Sequence, residues 1–206
     1  SSANRTGNSM NGGLSYEHSF KKEGHNFTLD SYFWTWNQDG EEEYSKIFDV
    51  QTWDNLKYID RGSNSNLSFS GEAHYTNPLT KNRTIEAGGE FSSDNQNQDS
   101  PIDTFNFSTG LYEHVPAFSN VLDQNTMAGA FYTTYSDTLK WLNYKAGLRY
   151  EFAGLDMTSV ALTEKLHRTY GTLFPTLHLS TKTKNNDNYT LSYSRRVQYP
   201  QWELDP

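Results

Sequence analysis

The chain has 206 residues, of which 34% are hydrophobic and 15% aromatic, and its formal net charge is −8. An acidic chain lacks the basic face that displaces phosphate counterions, so nucleic acid is excluded as a partner. The absence of cysteine excludes disulfides and cysteine-ligated zinc sites, and so many aromatic residues are not typical of a disordered chain.

No apolar stretch approaches the roughly 20 residues of a membrane-spanning helix, and the first residues contain no signal-peptide core. Instead, apolar and polar side chains alternate in many segments, which is the period-two pattern of β-strands. We predict an all-β fold of antiparallel up-and-down hairpins with about eight long strands. The strand pairs are 14–20 with 27–33, 67–75 with 85–91, 125–135 with 141–152, and 173–181 with 188–196.

The connections between these strands alternate between two lengths. Loops longer than about 12–15 residues are uncommon in compact soluble domains, so we expect the long ones to contain short strands, near Lys57–Asp60 and Phe105–Tyr112. Short turns at one end and long loops at the other are typical of outer-membrane β-barrels. Short turns are predicted near 22–24, 77–83, 136–140 and 182–187, and long polar loops near 37–65, 92–124 and 153–172.

The predicted strands have one apolar face and one charged face. In the strand from Trp141 to Phe152, for example, Lys145, Arg149 and Glu151 alternate with apolar side chains. The charged face must be in contact with water, and the apolar face must meet lipid or a second sheet. We interpret the aromatic residues near the strand ends as an interfacial girdle. They are Tyr16, Phe20, Tyr75, Phe91, Tyr135, Tyr150 and Phe152.

Several phrases of the sequence, in their order and spacing, resemble the Bacteroidetes-type outer-membrane β-barrel family, a branch of the TonB-dependent receptors. The resemblance covers roughly Leu14 to Pro206. The sequence departs from the family pattern near its end, where Tyr199 replaces an arginine and Asp205 an asparagine. The phrases are Gly71–Leu79 with Glu86–Gly89, Asn143–Glu151, Leu173–Leu177 and Leu191–Arg196.

The resemblance implies a location in the outer membrane of a Gram-negative cell and a role in import. Members of this family have a large barrel, usually of 22 strands, which an N-terminal plug domain closes. The expected partners are outer-membrane lipid, an unidentified imported ligand, and the TonB complex, which acts through the plug. Residues 1–206 contain no plug, so we expect them to be one partial barrel domain, an internal fragment of a receptor.

An aromatic cluster is the candidate ligand site. Tyr32, Trp34 and Trp36 stand where a strand enters a long loop, and Trp53 lies in that loop. Aromatic rings on outer loops stack on sugars or other large ligands. The alternative is that these rings belong to the interfacial belt or pack within the loop.

The sequence gives no sign of catalysis, a cofactor or a metal. The six histidines form no close pair such as His-x-x-x-His. The run Glu41-Glu42-Glu43 with Asp39 lacks the spacing of a calcium loop, and we expect it in a solvated loop. Neither a Gly-x-Ser-x-Gly elbow nor a phosphate-binding glycine loop is present. The protein is therefore not expected to be an enzyme.

Two other interpretations stay open at this point. One is a soluble or surface-attached all-β binding module of the carbohydrate-binding type, in which the apolar face meets a second sheet. The other is a small closed eight-stranded barrel that acts as an adhesin or an enzyme.

Arg195 and Arg196 point to opposite faces of a strand, and we expect one of them to pair with an interior carboxylate.

Overall fold

A computed structural model describes residues 2–46, 55–159, 165–183 and 185–195 of the chain. The described part is all-β, as the alternating patterns predict, and contains no helix that is long and apolar enough to cross a membrane. Its strands are β1 (Ser2–Ser19), β2 (Asn26–Lys46), β3 (Leu56–Asp60), β4 (Ser63–Pro78), β5 (Arg83–Ser100), β6 (Ile102–Asn106), β7 (Leu111–His114), β8 (Asn120–Thr138), β9 (Asn143–Ser159), β10 (Lys165–Lys182) and β11 (Asn188–Ser194).

Eight strands follow one another in an antiparallel meander, in the order β1-β2-β4-β5-β8-β9-β10-β11, which confirms the predicted fold class. The short strands β3, β6 and β7 continue the sheet beyond β4 and β5. Within the described residues, β1 pairs only with β2 and β11 only with β10, so the sheet is open. The small closed eight-stranded barrel is therefore wrong for this part of the chain.

The connections define two ends of the sheet. The turn end carries the short connections at 20–25, 79–82, 139–142 and 183–187. Two of these turns are tied together by Lys22, whose Nζ donates to the carbonyl oxygen of Leu79 over 2.7 Å. We call the opposite end the loop end. It is the end at which β2 finishes and at which β3, β6 and β7 lie.

At the loop end, β3 confirms the short strand expected near Lys57–Asp60, but strand occupies far more of 37–65, 92–124 and 153–172 than the sequence predicts. β2 pairs first with β4 and then with β3, and the register is the same on both. The ladder is interrupted only at Arg61 and Gly62, which lie between the two strands. A hydrogen bond of 2.8 Å from Gly40 N to Gly62 O continues the ladder across this break. The expected strand at Phe105–Tyr112 is instead the turn of the β6–β7 hairpin, flanked by the ends of both strands.

These extensions were missed for a physical reason. Alternation identifies a strand only where one face is apolar and the other polar. In β5, the segment Ser92–Ser100 is polar on both faces, yet it pairs with β4 on one side and β8 on the other. Its backbone hydrogen bonds are therefore satisfied without any apolar pattern in the sequence.

The outer face of the sheet carries an apolar band of limited height. On β9 this band runs from Tyr144 to Phe152, nine residues, and Leu148 at its centre is 47% exposed. Nine to eleven residues are what a tilted strand needs to cross a bilayer. On β2 the same face is apolar up to Phe33 and changes to Asn37, Asp39 and Glu41 further along. The band therefore ends well before the strand does.

The inner face is concave, since strands β2, β4, β5, β8, β9 and β10 together line a cavity of about 530 Å³. Only a curled sheet can bring side chains from six neighbouring strands around one cavity.

The inner face also has a close-packed point at Gly88. The Tyr132 ring lies over this glycine, and its hydroxyl is 2.7 Å from Nδ1 of His74 on β4. His74 Nε2 is in turn 2.9 Å from Thr76 Oγ1.

The packing at Gly88 leads to a stability prediction. A methyl group added there would lie 2.7 Å from the Ala73 carbonyl oxygen and would overlap the Tyr132 ring. We expect Gly88→Ala to lower the free energy of unfolding by about 1–3 kcal/mol, as overpacking does. Urea denaturation of the protein reconstituted in lipid measures this. Gly71→Ala is the matched control, because its new methyl group meets nothing closer than 3.5 Å. Equal losses for the two variants would contradict the prediction.

Candidate functional site

The inner face carries a row of carboxylates across the sheet. Asp30 on β2 lies opposite Glu72 on β4, and Glu72 lies opposite Glu90 on β5. Ala130 follows on β8 and Glu151 on β9. Like charges directly opposite one another destabilise a sheet unless they are neutralised or solvated. The inner face is therefore a wet surface with a negative potential.

Arg149 is the cation that neutralises part of this row. Its guanidinium donates to Glu90 and to Glu151, the latter over 2.5 Å, and lies 5.9 Å from the centroid of the Tyr132 ring. Within the described residues, no ion pair joins a cation to Asp30 or Glu72. The negative charge is thus concentrated on the β2 and β4 side of the cavity.

Glu86 and Glu90 do not form a catalytic carboxylate pair. Both lie on the inner face, but each pairs with a different cation, Glu86 with Lys145 over 2.8 Å and Glu90 with Arg149. Positions four apart on a strand are separated by about 13 Å, which exceeds the separation of glycosidase carboxylates. Within the described residues, no group of three or more His, Cys, Asp or Glu side chains could hold a metal ion.

Tyr32, Trp34 and Trp36 occupy three successive inner-face positions of β2. The sequence predicted that these residues stand at the end of a strand, but β2 continues to Lys46, so they lie inside it. The Trp34 and Trp36 rings are 6.3 Å apart with a tilt of 40°, and Tyr32 also lines the cavity. We call these three residues the aromatic stripe.

A network of polar side chains lies beside the aromatic stripe. Asn66 is opposite Trp36, and Ser68 is opposite Trp34. The Asn66 amide donates to Asp94 Oδ1 over 3.0 Å, and the Ser68 hydroxyl contacts both Asn66 Oδ1, at 2.9 Å, and Asp94 Oδ2. These bonds hold the amide and carboxylate planes in fixed orientations. We call Asn66, Ser68 and Asp94 the polar network.

Gln124 on β8 extends the same inner-face row. It lies opposite Gln96, which lies opposite Asn66. Its side chain is 6% exposed, and its Oε1 atom is buried without a hydrogen-bond partner among the described residues. A buried amide oxygen without a partner is costly, and an explanation is therefore needed for it.

The carboxylate run Glu41–Glu43 lies on β2 and not in the solvated loop that was expected. Each member pairs with a different cation: Glu41 with Arg61 at 2.9 Å, Glu42 with Arg5 at 3.4 Å and Glu43 with Lys57 at 2.9 Å. The sequence suggested a loop because three adjacent carboxylates cannot share an apolar face. In the sheet, they alternate between the two faces and meet cations on the neighbouring strands.

The Glu43 pair stabilises the β6–β7 hairpin. The Tyr112 hydroxyl donates to Glu43 over 3.2 Å, and Lys57 Nζ lies 5.3 Å from the ring centroids of both Phe105 and Tyr112. Hydrogen bonds from Lys57 and Tyr112 hold the pKa of Glu43 below its usual value. Hydrogen bonds with Tyr112 and Glu43 raise the pKa of Lys57. The hairpin is therefore attached to β2 and β3 by a charge-assisted cluster.

Some of the residues singled out in the sequence cannot be placed in the structure. Trp53 and Arg196 lie outside the described residues. Sequence reasoning also missed Asn66, Asp94 and Gln124, which the sheet brings beside the aromatic stripe. Asp94 was assigned to a loop, and no local pattern marks amides on separate strands as neighbours.

The fold and the two-faced strands define the wall of a β-barrel that separates lipid from a polar interior. A family model described as "Outer membrane protein beta-barrel family" matches residues 18–206. The chain therefore belongs to this family and lies in the outer membrane, as the resemblance implied. This membership decides against the soluble carbohydrate-binding module.

Three solved transporter and receptor structures are similar to the chain at low identity. The ferric citrate transporter FecA has a TM-score of 0.48 and 12% identity over 88% of this chain. The ferric-catecholate import receptor Fiu from Escherichia coli K12 has a TM-score of 0.47 and 9% identity over 92% of this chain. The ferric preacinetobactin receptor BauA from Acinetobacter baumannii has a TM-score of 0.43 and 11% identity over 89% of this chain. The chain spans 26%, 33% and 29% of these proteins, respectively. A comparison with curated protein sequences gives no match.

The apolar band predicts how the protein responds to a charge on its lipid side. Leu148→Arg places a cation at the centre of the band, where we expect a cost of about 2–4 kcal/mol in the free energy of unfolding from lipid. Urea unfolding from lipid vesicles measures the cost. Thr134→Arg is the control, because this side chain lies on the inner face opposite Glu86. A smaller loss for Leu148→Arg than for Thr134→Arg would show that the faces are reversed.

The Glu43 cluster predicts pH-dependent attachment of the β6–β7 hairpin. Because the folded-state pKa of Glu43 is lowered, its stabilising effect is complete above the unfolded-state pKa and is lost as pH falls through the folded-state pKa. We expect hydrogen-exchange protection of residues 102–114, corrected for intrinsic rates, to decrease below about pH 4.5. Glu43→Gln should remove most of this dependence. Asp123→Asn, a matched exposed carboxylate on β8, should leave it unchanged; equal effects would refute the assignment.

Proposed function

We propose that this chain is part of the barrel wall of a ligand-importing outer-membrane receptor of the TonB-dependent kind. The main support for this proposal is the contrast between the two faces of the sheet. The inner face has a cavity of about 530 Å³ lined by carboxylates, Arg149 and aromatic rings, and the outer face has an apolar band. A barrel whose interior were a packed core would need apolar side chains on that face. A wet, charged interior is typical of wide outer-membrane barrels.

The same proposal fixes the orientation of the sheet. The turn end faces the periplasm and the loop end faces the outside, as short periplasmic turns and long external connections require. The extensions of β2 to β5 then form an external wall above the membrane. On this wall Glu41, Glu42 and Glu43 are each paired with a cation, which suits a surface in contact with water.

The aromatic stripe is the proposed ligand contact within this wall. Tyr32, Trp34 and Trp36 all face the interior, and Tyr32 is 48% exposed and Trp34 36% exposed. Such exposed rings on a concave wall are available for stacking. Trp53 stays a proposed contact on sequence grounds alone, since it follows β2 along the chain.

The remaining parts of the receptor are also part of the proposal. The outer edges of β1 and β11 are unpaired within the described residues, and further strands would complete them, up to the roughly 22 that the resemblance implies. Energy would arrive through TonB and a plug domain carried elsewhere in the receptor. The proposal gives this chain no catalytic role, and it names no cofactor.

Uptake in cells tests the proposal. The complete receptor is expressed in a Gram-negative host, and cells are offered radiolabelled ferric citrate, cyanocobalamin, a tripeptide and four neutral hexasaccharides. The hexasaccharides are maltohexaose, cellohexaose, xylohexaose and mannohexaose. We expect receptor-dependent accumulation of at least one probe, abolished by a protonophore, because energised transport depends on the inner-membrane gradient. A receptor that is folded in the outer membrane and accumulates none of these probes refutes the proposal.

A further inference from the structure

We propose that the aromatic stripe and the polar network form a binding site for a neutral oligosaccharide. This inference rests on the proposed function and names the class of ligand for it. The site combines two features on one concave wall: a line of exposed rings on β2, and fixed amide, carboxylate and hydroxyl groups on β4 and β5.

The aromatic stripe suits the apolar faces of successive sugar rings. Inner-face positions on a strand repeat every two residues, about 6.8 Å. Tyr32, Trp34 and Trp36 therefore form a line about 14 Å long. The side chains opposite them on β1 are small, Asn11 facing Trp34 and Ser9 facing Trp36. The rings are thus not covered from that side within the described residues.

The polar network suits hydroxyl groups at the edges of the same sugars. Planar amides and carboxylates bond two neighbouring hydroxyls at once when their planes are held in place. Here Asn66, Ser68 and Asp94 hold one another, so little side-chain entropy is lost when a ligand binds. A carbohydrate brings apolar faces and hydroxyl edges together in one molecule, as the site requires.

Gln124 is an independent observation that points to a hydrogen-bond donor. Its Oε1 is buried without a partner, and the residue lies in the same inner-face row as Trp36 and Asn66. A small shift of this amide would let Oε1 accept a hydroxyl proton from a ligand in the row. An unpaired buried acceptor costs stability, and a ligand that donates to it offsets that cost.

Charge decides between a neutral ligand and an anionic one. In the three inner-face rows of the aromatic stripe, across β1, β2, β4, β5 and β8, the charged side chain of the described residues is Asp94. The neighbouring row contributes Asp30 and Glu72, which have no cation partner among the described residues, whereas Glu90 in that row is paired with Arg149. An anion would meet repulsion and no cation on this part of the wall, whereas a neutral polyhydroxyl compound loses nothing from the negative potential.

Binding to the complete receptor in detergent tests the inference. Tryptophan fluorescence and calorimetric titrations use the four neutral hexasaccharides named above, with hexagalacturonate and ferric citrate as anionic probes. We expect saturable binding of at least one neutral hexasaccharide and none of the anionic probes. Trp34→Ala should weaken that binding about tenfold or more, since a stacked ring contributes on the order of one factor of ten. Trp141→Ala, a tryptophan in a turn at the other end, is the matched control.

Gln124→Leu separates a ligand contact from a structural role. Because the amide oxygen is unpaired, removing the amide should not lower the urea midpoint, yet it should weaken hexasaccharide binding several-fold. A lowered midpoint with unchanged affinity would make Gln124 a structural residue and would overturn its part in the site. Equal affinities of the Trp34→Ala and Trp141→Ala receptors would overturn the role of the aromatic stripe.

The outcomes for the ligand class differ from those for import. Binding of hexagalacturonate or ferric citrate in place of the neutral sugars overturns the inference, as does binding of none of the probes. Protonophore-sensitive uptake of ferric citrate, cobalamin or the tripeptide would at the same time uphold the proposed function. Failure of the sugar site is therefore distinguishable from failure of the receptor assignment.

Discussion

Every backbone amide within the hydrocarbon of a membrane must find its hydrogen-bond partner inside the protein, and the rest of this structure depends on that requirement. The ladders from β1 to β11 meet it with few interruptions, since each strand of the meander pairs along most of its length. The same ladders continue into water at the loop end. There the hydrogen bonds at Gly62 and Pro101 carry the pairing across the breaks between β3 and β4 and between β5 and β6.

Once the backbone is satisfied, the side chains are free to differ between the two faces. The outer face is apolar only over the height of the band, and its aromatic rings cover glycines of neighbouring strands, as Phe152 covers Gly129. The inner face holds the carboxylates, Arg149 and the aromatic stripe. A strand with one lipid-facing and one water-facing side needs few aliphatic residues, which accounts for the low hydrophobic content of the chain.

How much the sequence could predict follows from the same division. Alternation identified the strands inside the apolar band, such as Leu142–Phe152, because Leu148 and Arg149 must face different surroundings. It missed Ser92–Ser100 and the continuation of β2 through Glu41–Glu43, because both faces are in water there. Tyr32, Trp34 and Trp36 could be singled out as unusual residues. Their neighbours Asn66, Asp94 and Gln124 could not, because only the registers of four separate strands bring them together.

The overshoot of the strands sets how far the protein stands above the lipid. From Phe33, the last apolar outer residue of β2, to Lys46 the strand runs 13 residues, about 43 Å along its axis and about 30 Å in height at a tilt near 45°. The β6–β7 hairpin lies at this height, beside the end of β2. The aromatic stripe starts beside Phe33, so it lies lower on the wall than this rim.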